Sequence, residues 1–333
     1  NNIIINKMKN KNILITGGTG SLGRALTDEI YKRYPNVGKV VVFSRDEQKH
    51  FQMKQDFLEI DFPNLEFKIG DVRDYDSVKS ACKGIDYIIH AAAMKHVHLS
   101  ENNPEECIKT NIGGAQNIIK AAYNTEVTNI VALSTDKACA PVNLYGATKL
   151  TSDKLFIAAN NNHNKKIKLS VVRYGNVMSS NGSVIPFFLR KKHLGELPIT
   201  DPEMTRFNIS LAEGVDMVLF ALENAWGGEL FVPKIPSYNI VDLANAIDPN
   251  CKIKVIGIRP GEKVHEEMIS SSDSYNTYDI GDYFVILPTL KNWKLKEFIK
   301  EFQAKKVPIG FNYNSKENNK FLSVKELNDL IYR

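Results

Sequence analysis

Five residues between positions 135 and 149 have the types and the spacing of an acid–base site. Tyr145 and Lys149 are four residues apart, so on a helix they share one face and the lysine can lie beneath the phenol. A phenol ordinarily has a pKa near ~10, and a nearby cation lowers it, so this tyrosine can accept a proton from an alcohol. Thr135 precedes Asp136 and Lys137, which add a second acid and a second base. Simple alcohol oxidation does not need that pair, so we expect a reaction of several steps.

The composition is that of an ordinary globular protein. The 333 residues are 43% hydrophobic and 24% charged, with a net charge of +5, and the length allows two lobes. The four cysteines are far apart and lack metal-ligand spacing, which predicts reduced thiols, no metal site and a cytoplasmic protein. No block of lysine and arginine predicts nucleic-acid binding, and the apolar run at the start is too short for a signal or a membrane span. We therefore expect neither nucleic acid nor membrane as a partner.

A glycine-rich turn near the start predicts a dinucleotide site. The apolar run 12–16 indicates a buried strand, and the pattern from residue 24 to about 33 indicates a helix. Between them the glycines fit both Gly-x-x-Gly-x-x-Gly and Gly-x-Gly-x-x-Gly. In that position the backbone can approach a pyrophosphate that lies at the N-terminus of the helix. The residues expected to contact the cofactor here are Gly17, Thr19, Gly20, Ser21, Leu22 and Gly23.

The end of the second predicted strand, residues 40–43, discriminates between cofactors. An NAD site usually has a carboxylate there for the ribose 2′-hydroxyl, whereas an arginine accommodates the 2′-phosphate of NADP. Ser44 and Arg45 follow the strand directly, and Asp46 comes next. We therefore predict NADP, while Asp46 leaves NAD open.

Strand and helix patterns continue to alternate through the first half, with further strands predicted at 65–69, 85–90 and 129–133. This alternation indicates an α/β fold with a doubly wound, Rossmann-like parallel sheet, and ligands of such sheets bind at the carboxyl edge. Residues that follow two of these strands complete the predicted cofactor site: Asp71, Val72, Ala91, Ala92 and Ala93.

The alternation breaks past about residue 177. We therefore predict an NADP-binding Rossmann domain over residues 11–177, to which a segment at about 207–240 returns. Residues 178–333 are expected to form mainly a smaller, substrate-binding lobe.

Nine short blocks of sequence add a family resemblance. They are residues 44–47, 70–74, 90–97, 134–137, 143–149, 173–177, 204–207, 231–236 and 257–263. With the glycine turn and the Tyr-x-x-x-Lys pair, the chain resembles the extended short-chain dehydrogenase/reductases. Within them it is most similar to the inverting UDP-N-acetylglucosamine 4,6-dehydratases, which begin pseudaminic acid biosynthesis. The likeness runs from about residue 11 to the C-terminus and is weakest over 289–305.

The resemblance implies a role for each residue of the acid–base site. Tyr145, with Lys149 and Thr135, would take the proton of the sugar 4-hydroxyl while hydride moves to a tightly held NADP⁺. Lys137, as a neutral amine, would then remove the proton that the 4-ketone makes acidic at carbon 5, and Asp136 in its acid form would protonate the departing 6-hydroxyl. Return of hydride to carbon 6, with a proton on the opposite face of carbon 5, inverts that centre. Burial and the positive nicotinamide are expected to lower the pKa of Lys137.

The resemblance also implies contacts to the substrate, UDP-N-acetylglucosamine. Arg206 and Arg259 match diphosphate ligands, a role that suits the planar fork of arginine. Glu262 matches a contact to the nucleotide ribose, and Lys95 and Asn176 match positions that face the sugar and the diphosphate. A homo-oligomer, a dimer or a hexamer, is implied as well.

Two positions depart from the family pattern. Residues 179–183 read Ser-Ser-Asn-Gly-Ser where the family usually has Gly-Ser-Arg-Gly-Ser, and His98 stands where it usually has proline. The lost arginine bears on a phosphate or sugar contact and leaves the acid–base residues unchanged.

Three other functions remain open from the sequence. A nucleotide-sugar 4-epimerase would not need the pair at 136 and 137, and a retaining 4,6-dehydratase is expected to carry Asp-Glu there. A non-catalytic NADP-binding sensor or scaffold would commonly have lost the tyrosine or the lysine of the Tyr-x-x-x-Lys pair, which this chain keeps.

Overall fold

A computed structural model describes residues 7–162, 164–178 and 184–332. The strands are β1 (Ile13–Thr16), β2 (Val40–Ser44), β3 (Leu65–Ile69), β4 (Tyr87–His90), β5 (Asn129–Thr135), β6 (Lys168–Tyr174), β7 (Glu196–Ile199), β8 (Thr205–Phe207), β9 (Leu230–Pro233), β10 (Ser237–Asn239), β11 (Lys252–Val255), β12 (Glu267–Ile269), β13 (Thr277–Asp279), β14 (Tyr283–Ile286), β15 (Lys305–Lys306) and β16 (Tyr313–Asn314).

The α-helices lie between these strands. They are α1 (Ser21–Arg33), α2 (Glu47–Asp56), α3 (Tyr75–Ala81), α4 (Val97–Asn102), α5 (Pro104–Ile108), α6 (Gly114–Tyr123), α7 (Leu144–Ala159), α8 (Val184–Lys191), α9 (Leu211–Asn224), α10 (Ile240–Ile247), α11 (Leu295–Phe302) and α12 (Val324–Ile331). A π-helical turn (Lys109–Gly113) joins α5 to α6, and short 3₁₀ helices cover Asp136–Ala138, Lys192–Leu194 and Ser271–Asn276. Across the described parts of the chain, none of the helices combines the length and the apolar character needed to cross a bilayer.

A large central sheet has the strand order β15-β13-β14-β9-β6-β5-β4-β1-β2-β3. Seven neighbouring strands run parallel to one another: β9, β6, β5, β4, β1, β2 and β3. The strands β14, β13 and β15 continue the sheet in antiparallel fashion. The order β3-β2-β1-β4-β5-β6 is that of the doubly wound dinucleotide-binding fold, and it reverses direction between β1 and β4. The predicted Rossmann-like fold is therefore confirmed, and a crevice is expected above β1 and β4.

Helices cover both faces of this sheet because successive strand residues point to opposite sides. Leu14 and Ile88 are buried in a core with α3, α6 and α7. Ile15 and Ile89, one residue further along each strand, are buried in a second core with α1, α9 and α11. Each such side chain contributes about 1.5–3 kcal/mol by burial, so the parallel strands form a rigid base for the residues at their ends.

A third core lies outside the sheet. It is formed by apolar side chains of β7, α8, α10 and α12, such as Leu197, Phe188, Leu243 and Leu327. Beside it, β12 pairs with β16 and also packs against the 3₁₀ turn Asp136–Ala138. This pairing brings a late part of the chain against the end of β5.

Candidate active site

A cavity of about 560 Å³ opens at the carboxyl edge of the parallel strands and extends from the glycine-rich turn to Tyr145. Most of the residues predicted from sequence line it. They are Gly17, Thr19, Gly20, Ser21, Leu22, Gly23, Ser44, Arg45, Asp46, Asp71, Val72, Ala91, Ala92, Ala93, Lys95, Thr135, Lys137, Tyr145, Lys149 and Asn176. Asp136 lies buried behind this wall, at 1% exposure.

The glycine-rich turn fits a pyrophosphate for two reasons. Gly17 has φ +65°, and a Cβ there would lie 2.9 Å from the backbone nitrogen of Ala92, so only glycine keeps the turn close to β4. Gly20 is the N-cap residue of α1 and has no side chain to cap the helix. The first backbone N–H groups of α1 can therefore bind an anion. These residues would hold the diphosphate of a dinucleotide.

Replacement of Gly23 by alanine tests this packing. The added Cβ would lie 2.4 Å from the backbone oxygen of Gly18, which cannot move without shifting β1 from α1. We expect Gly23→Ala to lower the free energy of unfolding by about 1–3 kcal/mol, measured by urea denaturation, and to weaken dinucleotide binding. Gly113→Ala is the matched control, because its Cβ meets nothing within 4 Å and its φ is −59°. Equal stability losses in both variants would contradict the packing argument.

A basic side chain, Arg45, follows the end of β2, where the adenosine ribose of a dinucleotide would lie. Asp46 caps α2 by accepting a hydrogen bond from the Lys49 backbone nitrogen at 3.0 Å, and it lies 3.7 Å from the Lys49 ammonium. Arg45 is 65% exposed and lies 3.9 Å from Asp71. Arg73 holds Asp71 more closely, at 2.7 Å. Asp46 thus caps α2, and both Arg45 and Asp46 line the cavity.

Tyr145 and Lys149 both lie on α7, as predicted. Asn143 starts this helix by accepting a hydrogen bond from the Gly146 backbone at 2.7 Å. Burial raises the pKa of Tyr145 to about 12, against the opposing effects of the Lys137 cation and a hydrogen bond with Thr135. Burial lowers the pKa of Lys149, against the attraction of Asp153.

The cation that most opposes burial at the Tyr145 phenol is Lys137, whereas an effect of Lys149 on the tyrosine pKa stays a prediction. The carboxylate that most influences Lys149 is Asp153, one helical turn further along α7. Because burial outweighs the attraction of Lys137, the phenol stays protonated at neutral pH here.

Lys137 sits between two buried carboxylates. Its Nζ lies 3.2 Å from Asp136 Oδ1 and 3.3 Å from Glu266 Oε1. Burial opposes its charge, but the two carboxylates outweigh burial and raise the pKa of Lys137. The expectation of a lowered lysine pKa is thus wrong for this structure, because the attraction of Asp136 and, after it, of Glu266 outweighs burial.

The pKa values of the two carboxyl groups are shifted in opposite directions. Burial raises the pKa of Asp136 despite Lys137, which agrees with the acid form expected for this residue. Burial also opposes ionisation of Glu266, but Lys137, Arg206 and Lys263 together outweigh it and lower the pKa of Glu266. Burial thus favours the acid form of Asp136, whereas the surrounding cations favour the carboxylate of Glu266.

The sequence analysis missed Glu266. It is 2% exposed and directly precedes β12, three residues after the sequence block 257–263 that carried part of the resemblance. Nothing in the sequence of this segment indicates that its glutamate contacts Lys137, in the turn after β5. The contact is revealed only by the pairing of β12 with β16 and by the packing of β12 on that 3₁₀ turn.

The predicted substrate residues separate into two groups. Lys95 and Asn176 line the cavity, and burial, with Lys49 adding to it, lowers the pKa of Lys95. Arg206 lies off the cavity wall and donates to the backbone oxygens of Thr205, Val264 and Lys263 at 2.7, 3.0 and 2.9 Å. Its guanidinium therefore holds the segment before β12.

Arg259 and Glu262 also lie off the cavity, and the Arg259 backbone nitrogen donates to Glu262 at 3.4 Å. His98 is exposed on α4. The departure at residues 179–183 lies outside the residues that the structure describes.

The cysteines are unpaired thiols in this structure. Cys82, Cys107 and Cys139 are buried and Cys251 is half-buried. Within the described ranges no group of three histidine, cysteine, aspartate or glutamate side chains could hold a metal ion.

Comparison with known proteins agrees with this site. Residues 13–288 match the family described as polysaccharide biosynthesis protein. UDP-N-acetylglucosamine 4,6-dehydratase (inverting) from Campylobacter jejuni is 52% identical over 331 residues, which cover 96% of this chain and 97% of that protein. UDP-glucose 4-epimerase from Rickettsia bellii is 41% identical, with 96% and 95% covered. Among solved structures, Pen from Bacillus thuringiensis is 37% identical with a TM-score of 0.87, and 98% of each chain is covered.

The glycine-rich turn, the Tyr-x-x-x-Lys helix and the buried Asp-Lys pair thus occur in a chain whose relatives share almost its whole length. The chain belongs to the polysaccharide biosynthesis protein family, as a relative of the inverting UDP-N-acetylglucosamine 4,6-dehydratases.

Proposed function

We propose that this chain dehydrates UDP-N-acetylglucosamine to UDP-2-acetamido-2,6-dideoxy-β-L-arabino-hex-4-ulose, with NADP as a cofactor that is regenerated in each turnover. The observation that carries the proposal is the acid–base pair of Asp136 and Lys137, 3.2 Å apart. Lys137 lines the same cavity as Tyr145, and Asp136 lies buried behind that wall. The 52% identical dehydratase from Campylobacter jejuni supports the choice of substrate and of inversion at carbon 5.

Each residue of the site has one task in this reaction. When bound, the cofactor supplies a hydride acceptor at carbon 4, a hydride donor at carbon 6 and a positive ring near the tyrosine. Tyr145, aligned by Thr135, takes the proton of the 4-hydroxyl, and Lys149 supports the phenolate. Lys137 as an amine removes the proton from carbon 5, and the electron pair of that bond forms the 5,6 double bond. Asp136 gives its proton to the 6-hydroxyl, which leaves as water.

The proposal also divides the chain between cofactor binding and substrate binding. We propose that residues 11–177, with 207–240, hold NADP and that most of 178–333 holds the sugar nucleotide. Lys95 and Asn176 would contact the sugar or diphosphate from the cavity wall. Arg206 and Arg259 would contact the diphosphate, and Glu262 the nucleotide ribose. A cytoplasmic homo-oligomer, and a product that enters pseudaminic acid biosynthesis for flagellar or surface glycosylation, complete the proposal.

The test is incubation with UDP-N-acetylglucosamine without added cofactor, followed by proton NMR. A 6-deoxy methyl doublet shows dehydration, and the ring couplings report the configuration at carbon 5. A second candidate, a 4-epimerase, is favoured by the name of the 41% identical relative from Rickettsia bellii. It would give a product inverted at carbon 4 that keeps its 6-hydroxyl. A methyl doublet with unchanged carbon 5 would show a retaining dehydratase, and bound cofactor without turnover would show a sensor.

Replacement of Arg45 by alanine tests the proposed cofactor. The guanidinium is 65% exposed beside the end of β2, where it would form charge-assisted hydrogen bonds with a 2′-phosphate. We expect Arg45→Ala to weaken NADP binding by about 10- to 100-fold, measured by calorimetry of protein freed of cofactor. NAD is the matched control, because it lacks the phosphate, and its affinity should stay within about 3-fold. An equal loss for both dinucleotides would contradict a 2′-phosphate site.

A further inference from the structure

Lys137 has a proton to lose before it can act as a base. Its ammonium lies between Asp136 and Glu266, and their attraction raises its pKa. A lysine in that form cannot accept the proton of carbon 5. Dehydration therefore requires a group near Nζ that takes one proton and keeps it inside a buried site.

Asp136 cannot serve as that group. It must itself carry a proton to protonate the departing hydroxyl, and burial already raises its pKa. Glu266 is the other carboxylate within ion-pair distance of Nζ, at 3.3 Å, and it is 2% exposed.

We propose that Glu266 is the proton acceptor for Lys137, and this inference rests on the proposed dehydration. The proton on Nζ moves to Glu266 Oε1, so that an ammonium and a carboxylate become an amine and a carboxylic acid with no change in net charge. The amine then takes the proton of carbon 5, and the carbon–hydrogen electron pair becomes the 5,6 double bond as the 6-hydroxyl leaves with the proton of Asp136.

The surroundings of Glu266 suit this exchange. Its Oε2 is buried and has no hydrogen-bond partner among the described residues, and an ionised carboxylate with a bare oxygen is costly inside a protein. Arg206 Nε lies 3.7 Å from Oε1. Burial favours the acid form of Glu266, whereas Lys137, Arg206 and Lys263 favour the carboxylate and together lower its pKa. Transfer removes the charge of Lys137, the largest of these cationic effects, and so makes the acid form easier to hold.

The backbone holds Glu266 in place for the transfer. Its backbone nitrogen donates to Ser315 Oγ at 2.9 Å, and the Ser315 backbone nitrogen donates to the Glu266 backbone oxygen at 2.8 Å. The Ser315 hydroxyl in turn lies 2.7 Å from Thr205 Oγ1, and both serine and threonine are buried. These contacts place the carboxylate beside Nζ without a contact of its own to the cavity.

The closing experiment compares Glu266→Gln with the wild type and with Glu267→Gln. Glutamine keeps the size of the side chain but cannot take the proton. At pH 7 we expect kcat for dehydration of UDP-N-acetylglucosamine to fall at least ~100-fold, with KM within about 3-fold. Glu267 is the matched control, because it is half-buried and bonds Asn312 instead of Lys137, and its variant should stay within about 2-fold of the wild type.

The pH profile separates this role from a structural one. The charged or titratable groups around Glu266 are Lys137, Asp136, Arg206, Lys263 and Tyr238. In Glu266→Gln the lysine must lose its proton to solvent, so kcat should rise about tenfold per pH unit above neutrality, whereas the wild type should not. Glu266→Asp keeps a carboxylate and should show a reduced kcat with the profile of the wild type.

The opposite result is equally definite. Loss of the Glu266 charge lowers the pKa of Lys137 in either case. If Glu266 only holds the lysine as ammonium, this is its whole effect, and kcat at pH 7 would stay the same or increase. That outcome, or a rising limb in Glu266→Asp, would overturn the inference while wild-type dehydration stands. Failure of the wild type to form a 6-deoxy product would instead overturn the proposed function, and this inference with it. If Glu266→Gln does not fold, by thermal unfolding, the profile of Glu266→Asp decides.

Discussion

Lys137→Ala is expected to stop dehydration, with kcat reduced by about 10³-fold, because the general base at carbon 5 is lost. Oxidation at carbon 4 does not use Lys137 as a base, so the bound cofactor should still become reduced when substrate is added. The reduction should be slower, because Lys137 is the cation that opposes the raised pKa of Tyr145. Exchange of the carbon 5 proton with D₂O should disappear together with the 6-deoxy product. Proton NMR of the reaction mixture and absorbance of the reduced cofactor measure the two halves of the reaction separately.

Lys137→Arg is the sharper control for this prediction. Arginine keeps a cation between Asp136 and Glu266, but it does not lose its proton in proteins. If the lysine acts by proton transfer, this variant should be as inactive as Lys137→Ala. Activity in Lys137→Arg within about 10-fold of the wild type would show that only the charge is needed, and would contradict the assigned base.

Tyr145→Phe is expected to block the reaction one step earlier. Phenylalanine fills the same buried volume without the hydroxyl that hydrogen-bonds with Thr135. We expect turnover to fall by about 10³-fold, with no reduced cofactor and no exchange at carbon 5, because no ketone forms to make that proton acidic. Substrate affinity, measured by calorimetry, should stay within about 3-fold, since the hydroxyl acts mainly in the transition state.

Tyr123→Phe is the matched control for the tyrosine. Its hydroxyl donates to the backbone oxygen of Ala159, at the far end of the helix that carries Tyr145. This substitution removes a phenol of α6 and its hydrogen bond to the helix with Tyr145 but leaves the cavity untouched, so turnover should match the wild type. Formation of reduced cofactor by Tyr145→Phe at the normal rate would show that another group accepts the 4-hydroxyl proton.

The fold could be predicted because its signals are local. A glycine-rich turn between a strand and a helix has few alternative meanings, and apolar strands at regular spacing indicate a parallel sheet. The strands at β1 to β5 and the helix with Tyr145 and Lys149 are found where the sequence predicted them, within a few residues. The antiparallel strands β13–β15 were not predicted, because short strands at a sheet edge have little periodicity of their own.

The grouping of the residues predicted for the cofactor has a similar reason. They follow the ends of parallel strands, and the structure brings them to one cavity. The helix cap formed by Asp46 could not be predicted, because it depends on the direction of one side chain.

Residue types and short spacings were thus sufficient for the chemistry: the order Thr135, Asp136, Lys137 and the pair of Tyr145 and Lys149 already indicated oxidation coupled to a second acid–base step. The charge states of these groups were decided only by tertiary structure. The pKa of Lys137 is raised by Asp136 and then by Glu266, and the pairing of β12 with β16 brings this glutamate to the end of β5 from far along the chain. Electrostatic energies depend on distance and burial in space, and neither follows from separation along the sequence.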